Sequence, residues 1–187
     1  MKNRSLALFM MGLLLSFSLQ AGEAPKKVKT FTLEDYNGVK HSLADYKSSK
    51  AIVLMFIATQ CPVSNAYNGR MVELQKDYSL KGVTFVGINA NKQEGLEETK
   101  NHAKEHGFDF PVLKDWNNVV ADQLGASVTP EIYVLNSNLE LLYHGRIDDA
   151  HQQPHSAAKT NELEEALRQV LDGKKVTVKE EPSYGCN

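Results

Sequence analysis

The fold is decided in residues 51–65, which read AIVLMFIATQCPVSN. The run Ala51–Ile57 is apolar without alternation, which indicates a strand buried on both faces of a sheet. Pro62 suits the first position of a helix, because its missing N–H would have no partner there. The stretch therefore predicts a buried strand, a short turn and a helix, with Cys61 at the junction.

Outward from this segment, predicted strands alternate with predicted helices. An Asn37-Gly38 turn predicts an N-terminal hairpin, since Asn-Gly supplies the positive φ angles that a tight turn needs. Further strands are predicted at Val83–Ile88, Ile132–Leu135 and Leu139–Tyr143. Helices are predicted from Pro62 to before Gly82, over Glu94–His106, over Trp116–Leu124, and from about Asn161 to before Gly173, where Asn161 and Glu164 have capping-box spacing. This order predicts parallel strands with right-handed crossovers and an antiparallel edge, an α/β fold.

Composition limits the classes of function. The chain has 187 residues, 42% of them apolar, which fits one ordinary domain. Its net charge of −2 gives no electrostatic basis for binding nucleic acid. Two cysteines allow at most one intramolecular disulfide, which excludes a disulfide-dense scaffold.

The N-terminal 21 residues resemble a secretory signal peptide. Lys2 and Arg4 precede the uncharged, apolar stretch Ser5–Leu19, which is shorter than the roughly 20 residues of a membrane-spanning helix. Cleavage is expected after Ala21, and an uncleaved anchor is the alternative. We therefore expect an exported protein, periplasmic if bacterial and otherwise secreted, with no stable membrane insertion after cleavage.

Cys61 is the residue best placed for chemistry. A cysteine that opens a helix meets unpaired backbone N–H groups, which favour the thiolate and lower the pKa of the thiol. A thiolate is the species that attacks disulfides and peroxides. The alternative is an inert, buried cysteine that packs like a small apolar side chain.

Four segments resemble a known family. Met55–Asn65, with its Cys-Pro-Val-Ser-Asn run, is similar to the active-site segment of AhpC/TSA-type redoxins, peroxiredoxin-like members of the thioredoxin superfamily. Val128–Pro130 resembles the cis-proline loop of that superfamily, and Gly87–Asn91 and Tyr143–Asp149 resemble further redoxin segments. The resemblance implies a thioredoxin-like three-layer α/β/α sandwich over residues 28–173, with a mixed central sheet and an added N-terminal hairpin.

The resemblance also implies an activity. It points to an exported thiol oxidoreductase that uses Cys61 as nucleophile, either for disulfide exchange or for hydroperoxide reduction. A cis bond between Thr129 and Pro130 would turn the Thr129 backbone toward Cys61, where it could pair with an extended client peptide; an ordinary trans proline is the alternative. The implied partners are an external thiol reductant or thioredoxin-like protein, and a peroxide or protein disulfide as substrate.

Several residues depart from the family patterns. Ser64 stands where thioredoxins have the second cysteine of Cys-x-x-Cys, so Cys61 cannot form that vicinal disulfide. Leu54 and Ala58 stand where peroxiredoxins have proline and threonine, and Thr59 is displaced by one position. Arg146 is a weak candidate for the arginine that polarises peroxide, and a surface arginine on an edge strand is the alternative.

Cys186 is a candidate resolving cysteine. It lies in the tail, residues 174–187, which we expect to lack a regular core contact. An extended tail of this length reaches roughly 40 Å, enough to bring Cys186 to Cys61. An intermolecular bridge and an idle thiol are the other readings.

No cofactor and no metal are expected. The pairs His102/His106 and His151/His155 each have four-residue spacing, but a metal site needs three or four convergent ligands. The rival to an enzyme is a redoxin-like binding module or metal carrier that performs no catalysis.

Overall fold

Seven strands form one mixed sheet in the order β2-β1-β5-β4-β3-β6-β7. The computed structural model describes residues 24–151 and 153–187, so the predicted signal peptide lies outside the described residues. The strands are β1 (Thr32–Asp35), β2 (Lys40–Ser42), β3 (Ala51–Phe56), β4 (Val83–Asn89), β5 (Val112–Lys114), β6 (Glu131–Leu135) and β7 (Leu141–Gly145). The α-helices are α1 (Pro62–Ala66), α2 (Asn68–Ser79), α3 (Leu96–Glu105), α4 (Val119–Leu124) and α5 (Glu162–Leu171).

The centre of the sheet is parallel and both edges are antiparallel. Strand β4 pairs in parallel with β3 and with β5, whereas β6 and β7 continue the sheet antiparallel to β3. At the other edge the hairpin of β1 and β2 pairs antiparallel with β5. The predicted mixed sheet with an added N-terminal hairpin is confirmed.

Helices cover both faces of the sheet, which gives three layers. All six residues of β3 are buried, and its alternate side chains enter two separate apolar clusters. The cluster on the Met55 face includes Met71 of α2 and Leu167 of α5, and the cluster on the Leu54 face includes Val120 of α4. The apolar run at residues 51–57 is thus a strand covered on both sides, as its lack of alternation predicted.

Four local predictions were wrong. Strand β5 was missed, because three buried residues show no periodicity. The helix after Pro62 is two helices, interrupted at Tyr67, whose N–H donates to the Ser64 carbonyl three residues back. Asn161 precedes α5 without a side-chain capping bond, and Glu164 accepts hydrogen bonds from Arg70 and Tyr78 instead of completing a capping box.

The fourth wrong prediction concerns the tail, residues 174–187, which packs on the domain. Val176 is buried, and residues 179–181 pair with the backbone of His144 at the edge of the sheet. The polar side chains of the tail did not predict this packing, because the contacts with His144 are made by backbone atoms. Among the described residues, no helix is long and apolar enough to cross a membrane.

Candidate active site

Cys61 lies where the buried strand β3 gives way to α1. It is the N-cap residue of α1, and its Sγ accepts a hydrogen bond from the Ser64 N–H at 3.4 Å. The Ser64 hydroxyl in turn accepts from the Ala58 N–H at 3.3 Å, so the serine side chain joins the two ends of the turn. A donor in this position would stabilise the thiolate once Cys61 is reduced.

Cys61 and Cys186 are joined by a disulfide. Their α-carbons are 5.9 Å apart although the residues are separated by 125 positions in the chain. Cys61 is 4% exposed, whereas Cys186 is partly exposed. The structure therefore contains an intramolecular bridge, one of the three states of Cys186 that the sequence left open.

Thr129 holds the tail beside Cys61. The Thr129–Pro130 peptide bond is cis. The Thr129 N–H donates to the Cys186 carbonyl at 2.9 Å, and the Cys186 N–H donates to the Thr129 carbonyl at 3.2 Å. Cys61 Sγ lies 3.3 Å from the same Thr129 carbonyl oxygen. Cys186 thus forms an isolated antiparallel bridge with the loop that precedes β6.

A second stretch of the tail is held at the edge strand β7. The His144 N–H donates to the Lys179 carbonyl at 2.9 Å, and the Glu181 N–H donates to the His144 carbonyl at 3.0 Å. Gly145, with φ of +149°, lies so close that a Cβ on it would sit 2.2 Å from the Glu181 carbonyl oxygen. The approach of the tail requires glycine at this position.

A buried carboxylate holds the turn before Cys61. Glu94 is fully buried and accepts the backbone N–H groups of Thr59 at 2.8 Å and Gln60 at 3.0 Å. The same carboxylate accepts from the side-chain amides of Asn89 at 2.5 Å and Asn91 at 3.1 Å. Four donors compensate the cost of burying this charge and fix the turn.

The role of Glu94 was not predicted from the sequence, whose pattern placed this residue at the start of a polar helix. The sequence does contain a signal for this role of Glu94. Asn89, Asn91 and Glu94 follow a buried parallel strand, and the carboxyl ends of parallel strands are where functional side chains gather in open α/β sheets.

Glu98 fastens the same turn from the solvent side. It accepts from the Thr59 hydroxyl at 2.7 Å and from the Gln60 side-chain amide at 2.9 Å. These hydrogen bonds hold the pKa of Glu98 below its usual range. The Thr59 hydroxyl therefore donates its hydrogen bond to a carboxylate.

Glu131, directly after the cis-proline, holds the loop on which Thr129 lies. Its carboxylate accepts the N–H groups of Ser127 at 2.8 Å and Val128 at 3.3 Å, and it contacts His144 Nε2 at 2.6 Å. Burial alone would raise the pKa of Glu131, but these hydrogen bonds outweigh it and hold the pKa below the usual value. One side chain thus links the Thr129 loop to the strand that carries the tail.

Arg146 is engaged by carboxylates of α5 and of the tail. Its guanidinium pairs with Glu162, through Nε at 2.9 Å and through Nη2, and lies 3.7 Å from Glu181 of the tail. These contacts raise the pKa of the guanidinium. Arg146 lines a cavity of about 570 Å³ beside α5 that does not include Cys61.

A separate cleft of about 530 Å³ opens beside the disulfide. Both cysteines line it, together with polar groups of the surrounding loops: Gln60, Asn91, Lys92, Glu94, Asn118, Ser127, Thr129 and Asn187. Of the candidate site residues, the structure brings together Cys61, Cys186, Thr129 and Pro130 and leaves Arg146 outside the group. Of the two cysteines, Cys186 is the more exposed residue.

The histidine pairs do not build a metal centre in the structure. The rings of His102 and His106 lie 4.4 Å apart, and His102 Nε2 is 2.9 Å from the Asn65 side-chain oxygen. Burial lowers the pKa of His102. No group of three or more metal-ligating side chains occurs within residues 24–151 and 153–187.

Comparison with known proteins places this geometry in context. A model of the AhpC/TSA family matches residues 24–144. The thiol-disulfide oxidoreductase ResA of Bacillus subtilis (strain 168) is 31% identical over 106 residues, which span 57% of this chain and 58% of ResA. The crystal structure of a hypothetical protein from Sinorhizobium meliloti 1021 has a TM-score of 0.80 and 33% identity, covering 88% of this chain and 92% of that chain.

A fold likeness extends further. The peroxidoxin BcpB from Mycobacterium tuberculosis superposes with a TM-score of 0.61 at 20% identity, over 81% of this chain and 97% of that one. At this identity the likeness concerns the fold alone. The comparisons and the mixed, helix-covered sheet confirm the thioredoxin-like fold class that the sequence predicted.

Proposed function

The chain belongs to the AhpC/TSA family, and from that premise we propose that it is a thiol-disulfide oxidoreductase in which Cys61 and Cys186 alternate between dithiol and disulfide. The observation that carries the proposal is the Cys61–Cys186 bridge, with one sulfur at the start of a helix and the other at the end of a tail. The pair takes the place of the vicinal pair that Ser64 precludes.

The proposed cycle moves two electrons. The Cys61 thiolate attacks one sulfur of a substrate disulfide, a Cys61–substrate disulfide forms, and the other substrate sulfur leaves as a thiolate. Cys186 then attacks Cys61 Sγ, which forms the internal disulfide and releases the substrate as a dithiol. An external thiol reductant restores both cysteines by the same exchange, entering at the partly exposed Cys186. No cofactor is required for this chemistry.

Each neighbour has a role in this cycle. The Ser64 N–H stabilises the thiolate of Cys61, both as nucleophile and as leaving group. The backbone of Thr129, beside Pro130, holds Cys186 next to Cys61 in the internal disulfide that ends the cycle. Glu94 and Glu131 hold the two loops that bring these groups together.

Two observations favour disulfide exchange over hydroperoxide reduction. Activation of a peroxide needs donors that polarise the O–O bond next to the thiolate. The two side chains considered for that task are engaged elsewhere, since Arg146 pairs with Glu162 and the Thr59 hydroxyl donates to Glu98. The fold supplies two sulfurs within bonding distance without such donors.

Export belongs to the proposal as well. The charged start and apolar stretch of residues 1–21 support secretion through a cleaved signal peptide. A structural or catalytic disulfide persists in the oxidising compartments outside the cytoplasm. The periplasm is the expected location if the organism is bacterial.

Trapping experiments test the cycle. We expect the Cys186→Ser protein to stop as a Cys61–substrate mixed disulfide with a disulfide-bonded peptide, and the Cys61→Ser protein to be inactive. Mass spectrometry of the quenched reactions identifies the adducts. Turnover by Cys61→Ser would overturn the proposal.

A second arm distinguishes the substrates. Stopped-flow mixing of the reduced protein with hydrogen peroxide measures the competing reaction, and we expect a rate close to that of free cysteine. The Arg146→Ala variant is expected to leave that rate unchanged. A fast, Arg146-dependent reaction would make the protein a peroxidase instead. Metal titration of the parent and Cys61→Ser proteins tests the metal-carrier alternative.

A further inference from the structure

The tail lies in a groove that has the form of a peptide-binding site. One end of the groove is the Thr129 loop, which exchanges two backbone hydrogen bonds with Cys186. The other end is the edge of β7, where His144 exchanges two backbone hydrogen bonds with residues 179–181. Backbone pairing of this kind uses no side chain of the added strand, so an extended segment from another protein can make it where its side chains fit.

Glycine is required at one point of the bound segment. A Cβ on Gly185 would lie 2.0 Å from the Thr129 carbonyl oxygen and 2.6 Å from its carbon. These are backbone atoms of the loop that Glu131 holds, so they cannot move aside as a flexible side chain would. The residue that immediately precedes the bound cysteine therefore has to lack a side chain.

Charge adds a second preference. Glu180 Oε1 lies 3.7 Å from His144 Nδ1, and Glu181 Oε2 lies 3.7 Å from Arg146 Nη2. The guanidinium of Arg146 and the ring of His144 therefore face the part of the segment that lies five and six residues before the cysteine. Acidic residues fit those positions.

We infer that this groove recognises an extended segment of a partner protein in which glycine directly precedes the reacting cysteine and acidic residues lie five and six positions before it. The inference rests on the proposed function, since it names the substrate class of the same site. The tail of the chain is the internal occupant of the groove, and a partner segment takes its place when Cys61 is reduced and the tail is released.

The chemistry at the groove is one exchange. The Cys61 thiolate attacks the cysteine sulfur of the bound segment, which is already in a disulfide. A Cys61–segment disulfide forms, the old disulfide breaks, and its other sulfur leaves as a thiolate. The disulfide of the segment is the oxidant, so no further reagent is needed.

The test uses the full chain with Gly185→Ala and Cys186→Ser together. The added methyl group keeps the tail out of the groove, and the serine removes the competing thiol. Synthetic peptides with the sequence KEEPSYGCN carry thionitrobenzoate on the cysteine. A control peptide has alanine in place of the glycine before the cysteine. A third peptide keeps the glycine and has lysines in place of the two glutamates. Release of thionitrobenzoate gives the rate of attack by Cys61.

We expect the glycine peptide to react at least about tenfold faster than the alanine peptide. The lysine peptide is expected to react more slowly at low salt and to approach the glycine peptide at high salt, because screening removes the charge preference. All three peptides should react equally with reduced glutathione, which measures their intrinsic reactivity.

Dithionitrobenzoate, a small disulfide without a peptide, separates the two possible failures. If it reacts rapidly while the glycine and alanine peptides react equally, the inference is overturned and the proposed function stands. If neither it nor any peptide reacts with the native protein, the proposed nucleophile is wrong. The single variant Cys186→Ser, which keeps a tail able to enter the groove, is a second receptor. It should react with the glycine peptide more slowly than the double variant, and an equal rate would contradict the role of the tail.

Discussion

The Glu94 carboxylate accepts the backbone N–H of Gln60, the residue immediately before Cys61, at 3.0 Å. Glu94 follows β4 and Gln60 follows β3, two neighbouring parallel strands whose carboxyl ends meet at the same edge. A fully buried carboxylate thereby fixes the turn that presents the sulfur. The position of Cys61 depends on a residue 33 positions later in the chain.

Glu94→Gln tests this clamp. The amide cannot accept hydrogen bonds through its nitrogen, so some of the four donors lose their partner. Hydrogen bonds to charged groups contribute about 1.5–3 kcal/mol each, and we expect a loss of that order in the free energy of unfolding. Amide hydrogen exchange at Thr59 and Gln60 should accelerate. The exposed Glu97 on α3 gives the matched control, Glu97→Gln, in which neither quantity should change.

Glu131 gives the site a dependence on pH. Its pKa in the folded protein lies below the ordinary value of 4.5, so the unfolded chain binds its proton first as the solution is acidified. The stabilisation by Glu131 is therefore complete above about pH 6 and is lost as the pH falls through the lowered pKa.

Urea unfolding between about pH 6 and pH 3 measures this contribution. We expect the slope of stability against pH to be smaller in Glu131→Gln than in the parent protein. The protection of the Ser127 and Val128 amides against exchange should fall in the acid range in the parent but not in Glu131→Gln. Glu140→Gln, at an exposed position, is the control and should keep the parental slope. Identical slopes in all three proteins would show that Glu131 does not hold the loop.

The disulfide is expected to stabilise the fold. It closes a loop of 125 residues, and disulfides over loops of that size contribute about 2–5 kcal/mol. Reduction of the parent protein should therefore lower the free energy of unfolding by this amount. Cys186→Ser, measured with and without reductant, should show no such difference. Equal stabilities of the oxidised and reduced parent would contradict the expectation.

Gly145 controls the docking of the tail on β7. A side chain there would meet the Glu181 backbone, and its φ of +149° is costly for other residues. We expect Gly145→Ala to cost about 1–3 kcal/mol and to weaken the internal disulfide in a glutathione redox equilibrium.

Gly69→Ala is the matched control for that substitution. Gly69 lies in α2 with no atom within 4 Å of an added Cβ and an ordinary φ. Its replacement should leave the redox equilibrium unchanged and raise stability slightly, because alanine favours the helix. A parental redox equilibrium in Gly145→Ala would show that the tail is held at Thr129 alone.

Much of the fold could be predicted because its signals are local. The unbroken apolar run of β3 and the proline after Cys61 predicted the strand, the turn and the helix start. The Asn37-Gly38 turn predicted the first hairpin, which the structure confirms. Strand β5 and the break at Tyr67 were missed, since three residues carry no period and a helix break depends on what its side chains meet.

The sequence by itself determined the elements that carry the proposed chemistry: a buried strand, a cysteine at the first helical turn, and a second cysteine near the end of the chain. Only the tertiary structure decided which backbone the tail contacts and which carboxylates hold the turn before Cys61 and the Thr129 loop. It also decided that Arg146 pairs with carboxylates of α5 and the tail. Periodicity reports burial within one element and contains no distances between elements. Contacts such as those of Thr129 with Cys186 and of Glu94 with Gln60 arise where the ends of different strands converge in the assembled sheet.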